Sequence, residues 1–486
     1  MTGTTTAPAV TGEEVVLAPE QAERMDGYVA RARAAADTLR GMDQEQVDRI
    51  VWAMVVAGLE NAVELAALAI EETGFGVFED KVVKNYIATE FLYDYLKDKR
   101  TVGVIATDPE RGIEEVAEPI GVVLALLPIT NPTSTALFKA IVGVKTRNAM
   151  LFRPSARAAR CAMRAIEVVQ EAGEAAGLPR DALQVIPDPT LDISQYLFHH
   201  DDVDFIWTTG GPKAVAATNR AGKPCIGVGS GNAPVYVHRS ADLGMAVVDI
   251  LVSKTFDASL ICPAEQTVIV DDAVYDELVA EFERMGARML SEAETARLAE
   301  VAMSEDGTMR MEALGRSCVD LAGLAGIPAD ARDKVLLAAL PSDLEELEVH
   351  PLAAEKLMPV LGLVRSPSVE HGIDACVLVT EHDGLGHTSA VYARDDEVIE
   401  RFSRAVRTGR ILVNAPTAVG ALGGVYNSMT PTFSLGCGTW GGSTTTDNVN
   451  YRNLMNIKTV SRRQAPPQWF RVPSDTYFNP GSLDSL

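Results

Sequence analysis

One cysteine in the stretch FDASLICPAEQTVIV, residues 256–270, has the surroundings of a group that could do chemistry. Cys262 lies in an apolar run, is followed by a proline, and precedes a carboxylate and an amide, Glu265 and Gln266. A cysteine thiolate can attack a carbonyl carbon and form a covalent intermediate. A free cysteine more often simply packs in the core, and a catalytic one needs partners from elsewhere in the fold. The local pattern leaves both interpretations open.

Three further polar residues could supply those partners. Asn131 follows a strand-like run and precedes a proline, so we expect it to be extended at a strand end. Its side-chain amide could donate to an oxyanion, although asparagine there is also a common turn residue. Glu355 and His387 are isolated titratable groups among apolar or small residues. Taken alone, His387 is predicted to be a structural histidine with its hydrogen bonds satisfied.

Two glycine-rich stretches could hold a phosphate. In WTTGGPKAVAATN a strand ends at Thr209, Gly210 and Gly211 allow close approach of a ligand, and a helix begins at once. The free amides of a helix N-terminus form an anion site, but a plain strand-to-helix turn has the same pattern. GVGSGNAP, residues 227–234, is followed by a strand-like run and does not fit the dinucleotide-binding pattern.

These residues must be positioned by a mixed fold. Apolar stripes at helical spacing predict helices over 20–40 and 78–97, and Asp43 with Gln46 predicts a helix start. Short runs rich in branched residues then alternate with helical stretches from 121 to 221 and again after 251. This alternation predicts parallel sheets covered on both faces, with ligands bound beyond the carboxyl ends of the strands.

Composition limits the class of protein. The chain has 486 residues, 43 basic and 67 acidic side chains and a net charge of −24. A length of this order predicts two or three domains. The acidic surface argues against a nucleic-acid or anionic-membrane partner. The six cysteines and seven histidines show no metal-ligand spacing, so we expect no metal and a reducing cytoplasm. We expect neither a signal peptide nor a membrane span.

The motifs together resemble the aldehyde dehydrogenase superfamily, specifically its CoA-acylating branch. TTGGP, EKLMP, GHTS and SLGCGTWGGSTTTDNVNYRNLMNIKTVSRR occur in the expected order. The long stretches LPITNPTSTALFKAIVGVKTRNAMLF and SKTFDASLICPAEQ are specific matches to the aldehyde dehydrogenase half of bifunctional aldehyde–alcohol dehydrogenases. The resemblance runs from about residue 20 to the end, where YFNPGSL resembles the segment leading to the iron-dependent alcohol dehydrogenase half. That half is expected to be absent.

The resemblance implies an α/β fold with two Rossmann-like domains, parallel sheets and an extended oligomerisation arm. We expect a flexible tail over 1–18, a dinucleotide-binding domain over 19–250 and a catalytic domain over 251–425. The arm would cover 426–486, and a hairpin at about 102–120 would join it.

The resemblance also implies roles. Cys262 would be the nucleophile and would end as a thioester, so the site should lower its thiol pKa. The Asn131 amide and the Cys262 backbone N–H would bind the oxyanion, one such donor being worth ~3 kcal/mol. His387, in the family GHT motif, would either deprotonate CoA or Cys262 or position them. Hydrolytic relatives carry a glutamate where this chain has Gly227, so CoA rather than water should resolve the thioester.

Cofactor contacts follow in the same way. Glu355 would bind the nicotinamide ribose, and Thr209, Gly210 and Gly211 would lie along the cofactor. Arg153 and Pro154 fall near the adenosine ribose of relatives, and a guanidinium there could hold a 2′-phosphate. The resemblance favours NAD and leaves NADP open.

Several alternatives stay open at the sequence level. A hydrolytic aldehyde dehydrogenase, an acyl-phosphate reductase and a non-catalytic filament subunit share the fold. The substrate could be acetaldehyde, propionaldehyde, succinic semialdehyde or sulfoacetaldehyde. We expect a cytoplasmic homodimer or higher homo-oligomer, and nothing in the sequence supports residence in a microcompartment.

Overall fold

The computed structural model describes residues 16–304 and 307–464. The α-helices are α1 Pro19–Arg40, α2 Gln44–Glu60, α3 Ala62–Thr73, α4 Phe78–Tyr86, α5 Leu92–Leu96, α6 Pro132–Lys145, α7 Ala159–Ala176, α8 Leu191–His199, α9 Pro212–Arg220, α10 Leu243–Thr255, α11 Tyr275–Arg284, α12 Glu292–Ala302, α13 Cys318–Leu324, α14 Leu344–Glu348, α15 Val369–Glu381, α16 Asp396–Ala405 and α17 Thr417–Leu422. The strands are β1 Gly103–Asp108, β2 Ile113–Pro119, β3 Val122–Leu126, β4 Ala149–Arg153, β5 Leu183–Val185, β6 Phe205–Thr209, β7 Cys225–Val228, β8 Ala233–Val237, β9 Glu265–Asp271, β10 Ala287–Met289, β11 Val335–Ala339, β12 Val360–Ser366, β13 Gly386–Tyr392, β14 Thr408–Val413 and β15 Met455–Ser461. Of the predicted tail over 1–18, residues 1–15 lie outside the described residues, as does the stretch YFNPGSL.

The first parallel sheet has five strands in the order β5-β4-β3-β6-β7. Every residue of β3 and β6 is buried, which requires cover on both faces of the sheet. Every residue of α6, which follows β3, is buried too. The predicted α/β fold with parallel sheets is confirmed. Runs of branched residues without polar alternation are typical of strands that are buried on both faces.

The second parallel sheet has seven strands in the order β10-β11-β12-β9-β8-β13-β14. β8 pairs in parallel with β9 and β13, with Val235 opposite Val268 and Ala390. The chain therefore passes from the first sheet to the second at 229–232, between β7 and β8. This corrects the boundary expected at residue 250, because the strand-like run PVYVH belongs to the second sheet.

A third sheet is antiparallel and small, with the order β1-β2-β15. β1 and β2 form the hairpin within 102–120, and Ala117 of β2 lies opposite Gly103 and Ile457. β15 lies in the stretch expected to form the arm. Residues 465–486 of the expected arm lie outside the described part of the chain.

The helices at the start of the chain follow the predicted stripes. Asp43 caps α2, and its backbone N–H is bonded by the Gln46 side chain, which completes the predicted capping box. The helix expected over 78–97 contains a π-helical turn at Ile87–Phe91 between α4 and α5. Within 16–304 and 307–464 no single helix is long and apolar enough to cross a membrane; only α2 and α3, bent by 60°, meet the criterion as a pair.

Candidate active site

The candidate site lies between the carboxyl ends of strands of the first sheet and the amino ends of strands of the second sheet. β3, β4 and β6 of the first sheet point their carboxyl ends at it. Cys262 and Glu355, in contrast, precede β9 and β12, at the amino ends of the second sheet. The rule that ligands bind at carboxyl ends therefore describes only the cofactor half of this site. Cys262, the candidate nucleophile, comes from the amino ends of the strands of the second sheet.

A cavity of about 360 Å³ brings most of the predicted residues together. The predicted residues that line it are Asn131, Arg153, Thr209, Gly210, Gly211, Cys262 and Glu355. Pro154 is buried and does not line it, although its neighbours Arg153 and Ser155 do. His387 lies behind the wall rather than in it.

The Cys262 thiol lies in a turn in which the Ala264 N–H donates to the Ile261 carbonyl at 3.0 Å. Burial, followed by the nearby charge of Glu355, raises its pKa to about 12. Arg410 acts in the opposite direction but more weakly. The expectation that the site lowers this pKa is wrong, because desolvation of the thiolate outweighs its one cationic neighbour.

A left-handed turn precedes Cys262. Asp257, Ala258 and Ser259 have φ values of 50°, 51° and 67°, and none of them is glycine. Left-handed backbone costs about 1–2 kcal/mol per non-glycine residue, so the surroundings must hold this turn. The Asp257 carboxylate does so, because it accepts the Val77 N–H at 2.7 Å and is fully buried.

Two buried lysines complete this anchor. Lys81 and Lys84 of α4 donate to Asp257 Oδ2 at 3.0 and 2.5 Å. Lys84 also donates to the Leu260 carbonyl at 2.8 Å and to Asn131 Oδ1 at 2.7 Å. Burial lowers the pKa of Lys84 to about 8, although Asp257 opposes this. The turn before Cys262 and the Asn131 side chain thus share one cation.

Asn131 lies at the N-terminus of α6, with φ −133° and ψ 55°. Its Nδ2 donates to the Thr130 hydroxyl at 3.1 Å. The amide therefore has one N–H left for a ligand in the cavity. This is the donor that the sequence assigned to the oxyanion.

Glu355 is the carboxylate of the cavity wall. It accepts the Gly231 N–H at 2.9 Å and the hydroxyl of Ser230. Burial raises its pKa to about 7 in spite of these bonds. Glu355 therefore changes charge within the neutral range.

His387 is fully buried beside the 229–232 segment. A Cβ built on Gly231 would lie 2.2 Å from the Cys262 carbonyl oxygen and 2.9 Å from His387 Nδ1. Nδ1 bonds to the Thr388 hydroxyl at 3.0 Å, and Nε2 has no hydrogen-bond partner within 16–304 and 307–464. Burial and the Arg410 charge hold its pKa well below the usual value, so the imidazole is neutral.

The cofactor edge carries the remaining predicted residues. Thr209 Oγ1 bonds to Ser434 Oγ at 3.1 Å, and Gly211 precedes α9. A Cβ at Gly211 would meet nothing within 4 Å, so the open space belongs to the cleft. Arg153 donates to the carbonyls of Pro189 and Thr190 at 3.1 and 3.4 Å. Its Nη1 makes none of these bonds and stays available to a ligand.

Comparison with known proteins decides the family. The model of the aldehyde dehydrogenase family matches residues 2–301. The chain belongs to the aldehyde dehydrogenase family. It is 38% identical over 471 residues to the bifunctional aldehyde-alcohol dehydrogenase AdhE of Escherichia coli K12, covering 96% of this chain and 52% of that protein. It thus spans about half the length of that relative.

Two solved structures of this family superimpose closely. An acetylating aldehyde dehydrogenase from Geobacillus thermoglucosidasius is 39% identical with a TM-score of 0.88, covering 92% of this chain and 98% of its own. A propionaldehyde dehydrogenase from Rhodopseudomonas palustris, solved with bound CoA and an acylated cysteine, is 26% identical with a TM-score of 0.82, covering 90% and 97%. The resemblance to acylating aldehyde dehydrogenases is therefore confirmed.

The position matched to the glutamate of hydrolytic aldehyde dehydrogenases does not face the cavity. A Cβ on Gly227 would lie 2.8 Å from Val215 Cγ1 of α9. Gly229 and Ser230 form the wall instead. Glu355 is the one carboxylate among the cavity-lining residues of the described chain.

The sequence did not identify the buried cations that bond to the groups around the cavity, which are Lys81, Lys84 and Arg410. Lys81 and Lys84 are three residues apart on one helix, a spacing that puts both on one face. That spacing was visible, but lysines on a helix usually face water. Arg410 of β14 was missed as well; it donates to the carbonyls of His387 and Gly436, each at 2.7 Å.

Proposed function

We propose that this protein is a CoA-acylating aldehyde dehydrogenase, which converts an aldehyde, CoA and a nicotinamide dinucleotide to an acyl-CoA and the reduced dinucleotide, reversibly. The observation that carries the proposal is that Cys262 and Asn131 line the same cavity, whose described lining residues include one carboxylate. That carboxylate, Glu355, is bonded to Gly231 and Ser230.

The chain's own groups account for the first step. The Cys262 sulfur attacks the aldehyde carbon, and the developing oxyanion accepts the free Asn131 N–H and the Cys262 backbone N–H. The thiol proton must leave, because the resting pKa is about 12. His387 packs against Gly231, as the Cys262 carbonyl does, and its Nε2 has no hydrogen-bond partner within 16–304 and 307–464, so we assign the proton to it.

The second step distinguishes CoA from water. The thioester on Cys262 faces Asn131, Glu355 and the Gly229–Ser230 wall. A Cβ on Gly227 would point toward α9, so the position that carries the glutamate of hydrolytic relatives supplies no base to the thioester. A CoA thiol then resolves it, as the bound CoA and acylated cysteine of the Rhodopseudomonas palustris relative support. Loss of the proton from CoA is again assigned to His387.

The residues present fit a nicotinamide dinucleotide. Thr209, Gly210 and Gly211 lead into the free amides of α9, a site for a pyrophosphate. Glu355 can accept two ribose hydroxyls, and it does so best as a carboxylate. A dinucleotide held there would accept the hydride that the former aldehyde carbon, bonded to the Cys262 sulfur, loses when the thioester forms. We propose NAD as the preferred form, with the free Nη1 of Arg153 available to a 2′-phosphate; a kcat/KM for NADP equal to that for NAD would overturn this preference.

We further propose that a short aldehyde, acetaldehyde in the first instance, is the substrate. The wall around Cys262 is largely apolar, with Ile261, Leu422 and Phe433. Arg153 is the one cation among the cavity-lining residues of the described chain and lies at the cofactor edge. An acidic aldehyde such as sulfoacetaldehyde would therefore lack a partner for its charge beside the thiol.

We propose that the protein forms a homo-oligomer, a dimer or larger, in the cytoplasm. Met245, Val248 and Val252 expose 41%, 42% and 48% of their area in one stripe of α10. β14 and β15 are edge strands of their sheets, and such edges pair readily with a second chain. Val248→Asp should lower the mass measured by analytical ultracentrifugation, and an unchanged mass would count against this surface.

The deciding experiment follows NADH absorbance with acetaldehyde, with and without CoA, for the wild type and Cys262→Ala. Turnover that needs both CoA and Cys262 supports the proposal. Turnover without CoA would mean that water resolves the thioester, with Glu355 as the base. No turnover with acetaldehyde calls for a panel of short and acidic aldehydes, and failure with the whole panel contradicts the proposal.

A further inference from the structure

Lys84 is a buried ammonium whose three donors all have partners. They are Asn131 Oδ1 at 2.7 Å, Asp257 Oδ2 at 2.5 Å and the Leu260 carbonyl at 2.8 Å. A lysine ammonium has three N–H donors and no acceptor, so these bonds saturate it. One cation therefore joins α4, the oxyanion donor and the turn that precedes Cys262.

The contact with Asn131 settles which way its amide faces. The oxygen and nitrogen of an asparagine side chain are similar in shape, and their assignment depends on their partners. Lys84 can only donate a hydrogen bond, so the Asn131 side chain must turn its oxygen, Oδ1, toward the lysine. Nδ2 is then directed to Thr130 and the cavity that Cys262 lines. The same cation polarises the amide, which strengthens its remaining N–H as a donor.

We infer that Lys84 is a positioning residue, which keeps the N–H of Asn131 aimed at the oxyanion and holds the Leu260 carbonyl two residues before the nucleophile. This inference rests on the proposed function, since it needs an oxyanion at Cys262. Lys84 does not line the cavity and touches neither substrate nor cofactor.

Lys81 provides a matched control. It lies on the same helix and is buried to a similar degree, and it donates to the same oxygen of Asp257 at 3.0 Å. Its other contact is the Thr130 carbonyl at 3.5 Å, and it has no bond to the Asn131 side chain. Loss of Lys81 therefore removes a comparable ion pair and leaves the amide orientation in place.

The pH dependence should report the same group. The charged groups that face Lys84 are Asp257, Lys81 and Asp80, and the Phe256 ring lies 5.4 Å from its Nζ. Burial is the main reason that its pKa is about 8. As the pH rises through 8 the ammonium becomes neutral, and its hold on Asn131 Oδ1 weakens. We expect kcat of the wild type to fall above pH 8, at saturating substrates.

The test is a double-mutant cycle of Lys84→Met and Asn131→Ala, with kcat measured at saturating NAD, CoA and aldehyde. Lys84→Met should lower kcat by about 10²-fold, as loss of an oxyanion donor does. The KM for NAD should change by less than about threefold, since the cofactor edge is untouched. In the Asn131→Ala background the same change should cost less than about fivefold, because the two residues act as one unit. Lys81→Met should lower kcat less than Lys84→Met does, because the bond from Lys84 to Asn131 Oδ1 stays.

Multiplicative losses in the cycle, or Lys84→Met with kcat near that of the wild type, would overturn the inference. An equal kcat loss in Lys81→Met would assign the effect to the ion cluster and overturn it too. If Lys84→Met does not fold, Lys84→Gln and the wild-type pH profile replace it, and a flat kcat from pH 7 to 9.5 contradicts the inference. A wild type without CoA-dependent turnover refutes the proposed function instead.

Discussion

Gly231 and Cys262 touch through their backbones across the junction of the two domains. A Cβ on Gly231 would lie 2.2 Å from the Cys262 carbonyl oxygen, well inside any tolerated contact. Gly231 also donates its N–H to Glu355 at 2.9 Å. The short segment from β7 to β8 therefore packs against Cys262, Glu355 and His387 at once.

Gly231→Ala should consequently lower kcat by about 10²-fold or more, because a shift of the nucleophile by about 1 Å is enough to cost that much. Gly323→Ala is the control, since a Cβ there meets nothing within 4 Å and its φ is negative. Steady-state kinetics of the two variants compare them directly. Full activity of Gly231→Ala would mean that the Cys262 loop has room to move.

The raised pKa of Cys262 predicts how the free enzyme reacts with iodoacetamide. With a thiol pKa of about 12, the thiolate fraction rises with pH throughout the range in which the enzyme is stable. The inactivation rate should therefore increase about tenfold per pH unit from 7 to 9. Mass spectrometry would assign the adduct, with Cys262→Ala correcting for the other cysteines. A rate that levels off near pH 7 would show a thiolate at rest.

His387→Asn should reduce kcat by about 10²-fold, the usual contribution of a general base. Burial and the Arg410 charge hold the pKa of His387 well below its ordinary value, so the imidazole is unprotonated throughout the neutral range. The wild-type kcat should not fall on the acid side near pH 6.5 because of this group. His371→Asn, on α15, is a control. Unchanged acyl transfer to CoA in His387→Asn would exclude the role of base.

Glu355 should make NAD binding pH-dependent. Its pKa is raised to about 7, so the group is protonated below that pH and a carboxylate above it. Only the carboxylate can accept both ribose hydroxyls, and the KM for NAD should fall as the pH rises from 6 to 8. Glu355→Gln should raise this KM and remove its pH dependence. The same slope in wild type and variant would place the titrating group elsewhere.

Asp257→Asn should destabilise the fold strongly. It leaves two buried lysines without their carboxylate, and breaking a buried pair in this way typically costs about 3–5 kcal/mol. Asp272→Asn, which breaks an exposed pair with Arg365, should cost about 1 kcal/mol or less. Urea unfolding followed by circular dichroism measures both. Equal midpoints for the two variants would contradict the anchoring of the 257–259 turn.

The sequence by itself determined the alternation of strands and helices, and hence the parallel sheets. It also identified the residues that meet in the cavity, since Cys262, Asn131, Glu355 and the Thr209–Gly211 turn stand in motifs with a chemical meaning. Each of these signals is local: a branched run, a cap, or a polar residue at a strand end. Local signals of this kind can be recognised in the sequence without knowledge of the fold.

The tertiary structure decided what depends on distant residues. The pKa of Cys262 follows from burial against Glu355 and Arg410, which are 93 and 148 positions away in the chain. The orientation of Asn131 depends on Lys84, and the strained turn on Asp257 meeting α4. The domain passage at 229–232 depends on the pairing of β8 with β9 and β13. Desolvation and ion pairing are properties of neighbours in space, and spacing along the chain does not encode them.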